Sequence, residues 1–567
     1  MTYRAITATL TTRTALHIGS GEGNDLTDAL LRRDAAGQPF IPGTAIAGAL
    51  RALLTRLAPR LGTKPCAALT SNPQSCDCAV CHLFGDVNPS DSAPETAPSA
   101  ASRLLVFNAT PLGNLPRPLI RDGVGIDRVT SAAARAGSVK FDLEVLPAGA
   151  QFALRMELRN PSEEDERLLA VGLAEWQERR MWLGGRVARG LGALALTDLE
   201  YRVFLMDEPE HLLAFLKDDR PWEQAQPQPG WLPAQLQALR PVLSPDSPQG
   251  IAPTWITVTG ILQAQGPLLT NDTLASCISG FDHAPLLAQW GDWRNPLLTG
   301  AGLRGVFRSH AERIARTLAT HLADGEREFL NRCPACSPVE SRPDAPMACC
   351  DALLRGKITS DEIVDDGHLC LACRLFGSTR RGSRLIVEDA PYYSANGKPP
   401  TLKMLDFLAI DRFTGGGTEG LKFDALALWK PAFTLRLHLE NPESWELGWL
   451  ALVLRDLAEG WLRVGFGAAK GFGQVTLQDW RATLGYLTPD DAPEVAELNL
   501  TPDKSGIYTT VTLTGGASEW QRLAQKWVDT FHKEVNNFSR PSELALSGDS
   551  YFGRVDALYP VLKGDTQ

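Results

Sequence analysis

Ten of the chain's 11 cysteines fall in two clusters, and thiolates so spaced are suited to converging on a metal ion. Cys66, Cys76, Cys78 and Cys81 follow a C-x9-C-x-C-x2-C spacing, with His82 as a possible substitute ligand. Cys333-Pro-Ala-Cys336 and Cys370-Leu-Ala-Cys373 have the C-x2-C…C-x2-C spacing of a closed zinc site, with Cys349, Cys350 and His368 nearby as spares. Four sulfurs leave no open position for water, so a structural Zn2+ in each cluster is expected to hold an insertion in place rather than do chemistry. Cys277, outside both clusters, reads as a buried core thiol.

Cations and glycines form a second set. Gly184-Gly-Arg-Val-Ala-Arg-Gly-Leu-Gly192 and Gly465-Phe-Gly-Ala-Ala-Lys-Gly-Phe-Gly473 let a backbone approach a ligand closely, while Arg186, Arg189 and Lys470 supply charge for phosphates. Neither ends in Gly-Lys-Ser/Thr, which excludes a Walker loop. Pro42-Gly43-Thr44 opens a helix whose free N–H groups suit a phosphate, and Arg51, Arg304 and Arg308 lie on such helices. Arg103, Arg117, Arg121, Arg128, Arg135 and Lys140 outnumber Asp122 and Asp127, and Arg374, Arg380, Arg381 and Arg384 face no nearby acid. These are local basic footprints of the kind an RNA groove needs.

They stand out because the whole chain is acidic. Its 56 Lys and Arg against 66 Asp and Glu leave a net charge of −10, which argues against non-specific coating of nucleic acid. With 44% hydrophobic and 22% charged residues it can build a packed core, and 567 residues exceed one small module. No apolar run is long enough to span a membrane and the start lacks a signal-peptide core, so the expected setting is cytoplasmic, with no membrane partner.

The elements that carry these residues occur twice. Residues 41–51 return at 298–308, matching Gly43, Gly48 and Arg51 to Gly300, Gly305 and Arg308. Cys81-His-Leu-Phe-Gly85 returns as Cys373-Arg-Leu-Phe-Gly377, Ile126-Asp-Arg-Val-Thr130 as Ile410-Asp-Arg-Phe-Thr414, and Arg189-Gly-Leu-Gly192 as Lys470-Gly-Phe-Gly473. Four words in one order mean two homologous domains, 1–205 and 251–485. Between them 206–250 reads as a linker with a short helix near 210–216, and 486–567 as an extension. In that extension, Trp520, Leu523, Trp527 and Phe531 line one face of a helix over 518–535. Each domain reads as strand, helix, insertion, strands, helix, strand: an α+β fold of the ferredoxin-like, βαββαβ kind.

Taken together, the words resemble the backbone subunits of type III CRISPR effector complexes in the RAMP superfamily, here as a tandem fusion of the type III-D-like kind. The strand leading into Leu16-His-Ile-Gly-Ser-Gly21, the helix ending in Gly-x-x-Arg, the cysteine cluster closing on Leu-Phe-Gly, the Ile-Asp-Arg-x-Thr loop and the terminal glycine-rich loop carry the resemblance. It implies RRM-like palms with β-hairpin thumbs around residues 124–141 and 410–423. It further implies a guide CRISPR RNA, a complementary target RNA and other type III effector subunits as partners, with sequence read by base pairing. Target cleavage next to each thumb is expected to leave a 2′,3′-cyclic phosphate.

By this resemblance Asp28 falls on the family's catalytic acid, with Asp34 as a second acid, and Asp282 occupies the corresponding loop of the second copy, with Asp272 as a rival. A carboxylate there can hold Mg2+ or Mn2+ or accept the 2′-hydroxyl proton. The RNA-binding residues implied are Gly43, Thr44, Arg51, Arg128, Arg186, Arg189, Arg304, Arg308, Arg380, Arg381, Arg412 and Lys470. Ala47 stands where the family often carries Lys, a position filled by Arg304 in the second copy. Asp127 and Asp411 are expected to pair with Arg128 and Arg412 and shape the hairpins. The leading expectation is thus a metal-dependent endoribonuclease within an effector complex. The alternatives are a non-catalytic scaffold and an endoribonuclease that processes guide precursors.

Overall fold

The computed structural model describes residues 2–540, apart from 62, 65, 67–75, 77, 86–100, 129–131, 135–139, 207, 240–252, 291–292, 344–346, 358–363, 488–497 and 499. Arg135 and part of the first thumb tip therefore lie outside the described residues. The architecture is mixed α+β on antiparallel sheets.

In the first half, the strand Thr2–Thr12 lies between Gln151–Arg159 and Leu194–Leu205, with Leu104–Val106 beyond Gln151–Arg159. Two helices cover the sheet. Gly43–Leu57 buries Ile46, Leu50, Leu53, Leu54 and Leu57 along one stripe, each worth about 1.5–3 kcal/mol of burial. Glu163–Gln177 starts at a capping box in which Ser162 and Asp165 exchange side-chain and main-chain bonds, and it buries Trp176. The second half repeats this around the strand Trp255–Ala264, flanked by Ala432–Glu440 and Val475–Tyr486, with helices Gly300–Leu322 and Ser444–Ala458.

Two segments outside the repeated units pack onto them. Within 206–250, helix Pro209–Lys217 forms where a short helix is expected, but Trp231 of helix Trp231–Leu239 stacks on Tyr201 at 3.9 Å, tying this segment to the first half. Beyond 485, strand Tyr508–Thr514 pairs with Val475–Tyr486, so the extension enlarges the second sheet. Helix Ser518–Asn537 buries Trp520, Leu523, Trp527, Phe531 and Val535, with Phe531 stacked on Trp449 at 5.1 Å. The expected apolar stripe is the docked face.

Each half projects a hairpin. The first pairs Leu119–Val124 with Lys140–Val145 and the second pairs Leu402–Ile410 with Gly417–Trp429. The first lies on the second half of the chain: Arg121 pairs with Asp389 at 2.6 Å and Arg128 with the fully buried Glu312 at 2.9 Å. The second exposes Met404, Leu408, Ile410 and, at its tip, Phe413, which is 99% exposed. Among the described residues no helix is long and apolar enough to cross a membrane.

Candidate functional site

Asp28 sits in a braced loop. Asn24 Oδ1 accepts bonds from the Leu26 and Thr27 amides, and Gly23 is required because a side chain there would strike the Asp28 carbonyl at 2.5 Å. The chain then runs beside the first hairpin, where Ala29 bridges Leu143. This register lets two acids lock together. The Asp28 amide donates to Asp142 Oδ1 at 2.8 Å, and the Asp142 amide donates to Asp28 Oδ2 at 2.9 Å.

The second half builds the same object. The Asp282 amide donates to Asp424 Oδ1 at 2.9 Å, the Asp424 amide donates to Asp282 Oδ2 at 2.9 Å, and His283 bridges Ala425. Asp282, not its rival Asp272, is thus the structural counterpart of Asp28. Asp272 instead caps helix Thr273–Ser279 by accepting from the Leu274 and Ala275 amides. Asp34 likewise folds a turn, through bonds from the Ala36 and Gln38 amides.

In each pair one oxygen per carboxylate is used, and the other has no hydrogen bond among the described residues. An exposed carboxylate held beside a half-buried one by main-chain bonds is repelled by it, and hard divalent cations take such oxygens together with substrate phosphates. A cation also stands near each pair. Arg186 lies 4.1 Å from the centre of the Phe141 ring and Lys470 lies 4.1 Å from that of Phe423, the residues preceding Asp142 and Asp424. Burial and Arg189 depress the Arg186 guanidinium while Asp28 opposes them, which places that cation within the field of the first acid pair. Asp142 and Asp424 are absent from the sequence expectations, although Lys140-Phe-Asp142 and Lys422-Phe-Asp424 form a further repeated word.

Several expected phosphate contacts are spent inside the protein. The Gly43 amide donates to Asn108 Oδ1 at 2.9 Å and the Gly300 amide to Asp389 Oδ1 at 2.8 Å, so these helix starts are already capped; of the Pro-Gly-Thr word only Thr44 is exposed. Arg51 and Arg308 donate to Cys81 and Cys373 sulfurs, each at 3.5 Å, which assigns the repeated Gly-x-x-Arg to the cysteine clusters. Arg308 is also held by Glu312 at 2.7 Å, Arg304 by the Phe376 carbonyl, Arg128 by Glu312 and Arg381 by Asp366. Burial and Arg308 push the Arg304 guanidinium down to about 9. At the second hairpin tip Asp411 accepts from the Phe413 and Thr414 amides rather than pairing with Arg412, which is exposed with Lys470 and Arg189.

The cysteines converge, with one substitution. The sulfurs of Cys66, Cys76, Cys78 and Cys81 lie within 4.8 Å of one another, and so do those of Cys336, Cys350, Cys370 and Cys373. Cys333, expected as a ligand, bonds instead to the Ala335 carbonyl at 3.1 Å, and Cys350 takes its place. Cys277 is exposed, not buried. Burial raises the Cys78 thiol to about 11 and holds Cys81 above the ordinary thiol range, so a cation bound there would have to draw the proton from each of them. In the second cluster burial opposes ionisation of Cys370, but bonds from Cys336, Cys350 and Cys373 hold it well below that range. Both donor sets fit structural zinc. The purified chain is expected to carry two zinc ions; by colorimetric assay after denaturation, Cys350→Ser lowers the count to one while Cys333→Ser leaves it at two. Loss of zinc on Cys333→Ser and retention on Cys350→Ser would reverse the assignment.

The sequence profile of the RAMP superfamily matches two stretches of the chain, residues 9–195 and 284–476. No curated protein matches it.

Proposed function

As the chain belongs to the RAMP superfamily and carries its unit twice, we propose that it is a guide-RNA-binding backbone subunit of a type III CRISPR ribonucleoprotein, of the type III-D-like kind, that cuts complementary target RNA at two places. The observation that carries this reading is the recurrence, midway along both hairpins, of a reciprocally bonded acid pair beside a ring-stacked cation. Unlike the helix starts at Gly43 and Gly300, whose amides are already capped, each pair leaves a carboxylate oxygen without a hydrogen bond among the described residues.

In this reading Asp28 with Asp142, and Asp282 with Asp424, would hold Mg2+ or Mn2+, which would neutralise charge developing at the scissile phosphate. The 2′-hydroxyl oxygen forms the new bond to phosphorus, its proton passes to a carboxylate oxygen, and the bond to the 5′-oxygen breaks as that oxygen takes a proton from water, leaving a 2′,3′-cyclic phosphate on one product and a 5′-hydroxyl on the other. Arg186, Arg189, Arg412 and Lys470 would then meet RNA phosphates, with Arg380 of the expected set beside them in role. The first half's strand order, with Leu194–Leu205, Thr2–Thr12, Gln151–Arg159 and Leu104–Val106 side by side, supports a ferredoxin-like, RRM-like palm.

The subunit works in the cytoplasm within an assembly. The first hairpin is tied to the second half by Arg121 and Arg128, whereas the equivalent apolar hairpin around Phe413 has no such seat and leaves Phe413 99% exposed, so a following effector subunit covers it. That neighbour is a different protein rather than a second copy, because Thr55 stands where Glu312 receives Arg128, so the first half of a second copy has no such acid for Arg412.

The test is to assemble the complex on a guide RNA and follow labelled target. Guide-matched RNA is expected to be cut with Mg2+ and spared with EDTA, while unmatched RNA is spared throughout. Matched RNA that stays bound and whole in Mg2+ and in Mn2+ would favour the scaffold reading. The guide-processing reading draws no support from the histidines: His17 is buried against the Glu144 carbonyl at 2.7 Å and His310 is engaged by Asp456 at 2.7 Å.

A further inference from the structure

Arg540 lies beyond the C-terminal helix Ser518–Asn537, outside the matched family regions, and is only 8% exposed. Its main-chain amide is anchored on the Asn331 carbonyl at 2.9 Å, yet its Nε and one terminal nitrogen meet no hydrogen-bond acceptor among the described residues. A buried guanidinium without an acceptor is costly unless something negative faces it. The groups that favour its charge are thiols: Cys350, Cys333, Cys370 and Cys336, three of them members of the second cluster.

Charge balance says what is missing. Zinc held by four thiolates carries two negative charges in excess, and this cluster is packed within the apolar core of the second half, with Phe538 beside it. Arg308 donates to Cys373 and belongs to a group in which Arg308, Arg316 and Arg128 share the single buried Glu312, so positive charge is in excess there. Arg540 is a further cation acted on by these sulfurs, with no carboxylate paired to it among the described residues. A metal tetrathiolate would bring two negative charges into these net positive surroundings, offsetting most of the excess.

We propose that Arg540 is the counter-charge through which metal bound by Cys336, Cys350, Cys370 and Cys373 fastens the C-terminal segment to the second half of the chain, so that metal loading and docking of this segment are linked. The inference rests on a metal filling that site, and linkage makes it reciprocal: the docked segment raises metal affinity, and the metal stabilises the docked segment.

The experiment uses the full chain, zinc and a graded chelator, with hydrogen exchange followed over residues 333–376 for the site and 518–540 for the segment. In the wild type, chelation is expected to speed exchange at the end of the helix about tenfold or more, in step with release at the site. Arg540→Met, of similar length but uncharged, is expected to lose zinc at about 10- to 100-fold lower chelator strength, as other changes around metal ligands do. Its segment should stay protected whether or not metal is bound, because methionine has no charge to strand. Arg540→Lys keeps the charge and is expected to restore part of the affinity, which separates charge from loss of packing. Wild-type affinity in Arg540→Met, or segment protection in the wild type that ignores chelation, would overturn the proposal. A wild type that takes up no zinc at 333–376 would overturn it too, together with the metal assignment itself.

Discussion

Asp28→Ala is expected to erase one of two cuts in a guide-matched target, by about 100- to 10,000-fold, the range lost when a positioned proton-transfer or charge-holding group is removed. The other cut and RNA binding should persist, and Asp282→Ala should give the mirror result. Both carboxylates are exposed and bonded only to main-chain amides, so removing them strands no buried charge and the fold should survive. The asparagine variants refine the test. Asp28→Asn and Asp282→Asn each keep a side-chain oxygen to accept the bond from the Asp142 or Asp424 amide but lose the negative charge. If charge at the scissile phosphate is what matters, Asp28→Asn fails as badly as Asp28→Ala; if the pair only shapes the loop, Asp28→Asn retains the cut. Mapping cut positions on a denaturing gel with the assembled complex reads all four variants.

Glu312→Ala is expected to cost about 3–5 kcal/mol of stability, the range seen when one partner of a buried ion group is removed. Glu312 is fully buried and meets Arg308 at 2.7 Å, Arg128 at 2.9 Å and Arg316 at 3.6 Å. Without it, three guanidinium groups face one another in the core and Arg128 loses the contact that helps seat the first hairpin on the second half. Chemical denaturation should show the loss, and hydrogen exchange should show the hairpin at 119–145 released. Glu312→Gln, which keeps the shape without the charge, should lose nearly as much. The same carboxyl sets a pH dependence. Burial alone would raise it, but Arg308, Arg316 and Arg128 hold it below the usual carboxylate range. A group depressed on folding stabilises at pH above its unfolded value, so this contribution is present at neutral pH and disappears as the pH falls below the carboxylate range. A variant as stable as the wild type would show that the group is decorative.

What the sequence discloses and what it hides divides along chain separation. The duplication, the two metal clusters and the C-terminal helix are legible because their signals are local: repeated words, cysteine spacings, and Trp520, Leu523, Trp527 and Phe531 on one helical face. The arginines are misread because a basic residue looks the same whether it meets a phosphate or an acid far away in the chain. Arg128 finds Glu312 184 residues on, and the Gly43 amide finds Asn108 65 residues on. One such partner is readable: Glu312 lies one helical turn after Arg308, the spacing of a helical ion pair. Cys350 is passed over because Cys333 completes a familiar C-x2-C word, and only the fold shows that Cys333 ends helix Glu326–Arg332 turned toward Ala335. Asp142 and Asp424 lie beyond the words compared, although their Lys-Phe-Asp setting repeats as clearly as the rest.

The claim that each half of the chain cuts RNA by way of the target's own 2′-hydroxyl is tested most directly with one complementary target. Its cuts by the wild-type complex are mapped to the nucleotide, and the target is then resynthesised with a single 2′-deoxy nucleotide before one scissile phosphate or the other. The account predicts two cuts attributable to this subunit, each silenced alone by its own 2′-deoxy substitution. A single cut, or cuts indifferent to the missing hydroxyl, would contradict it.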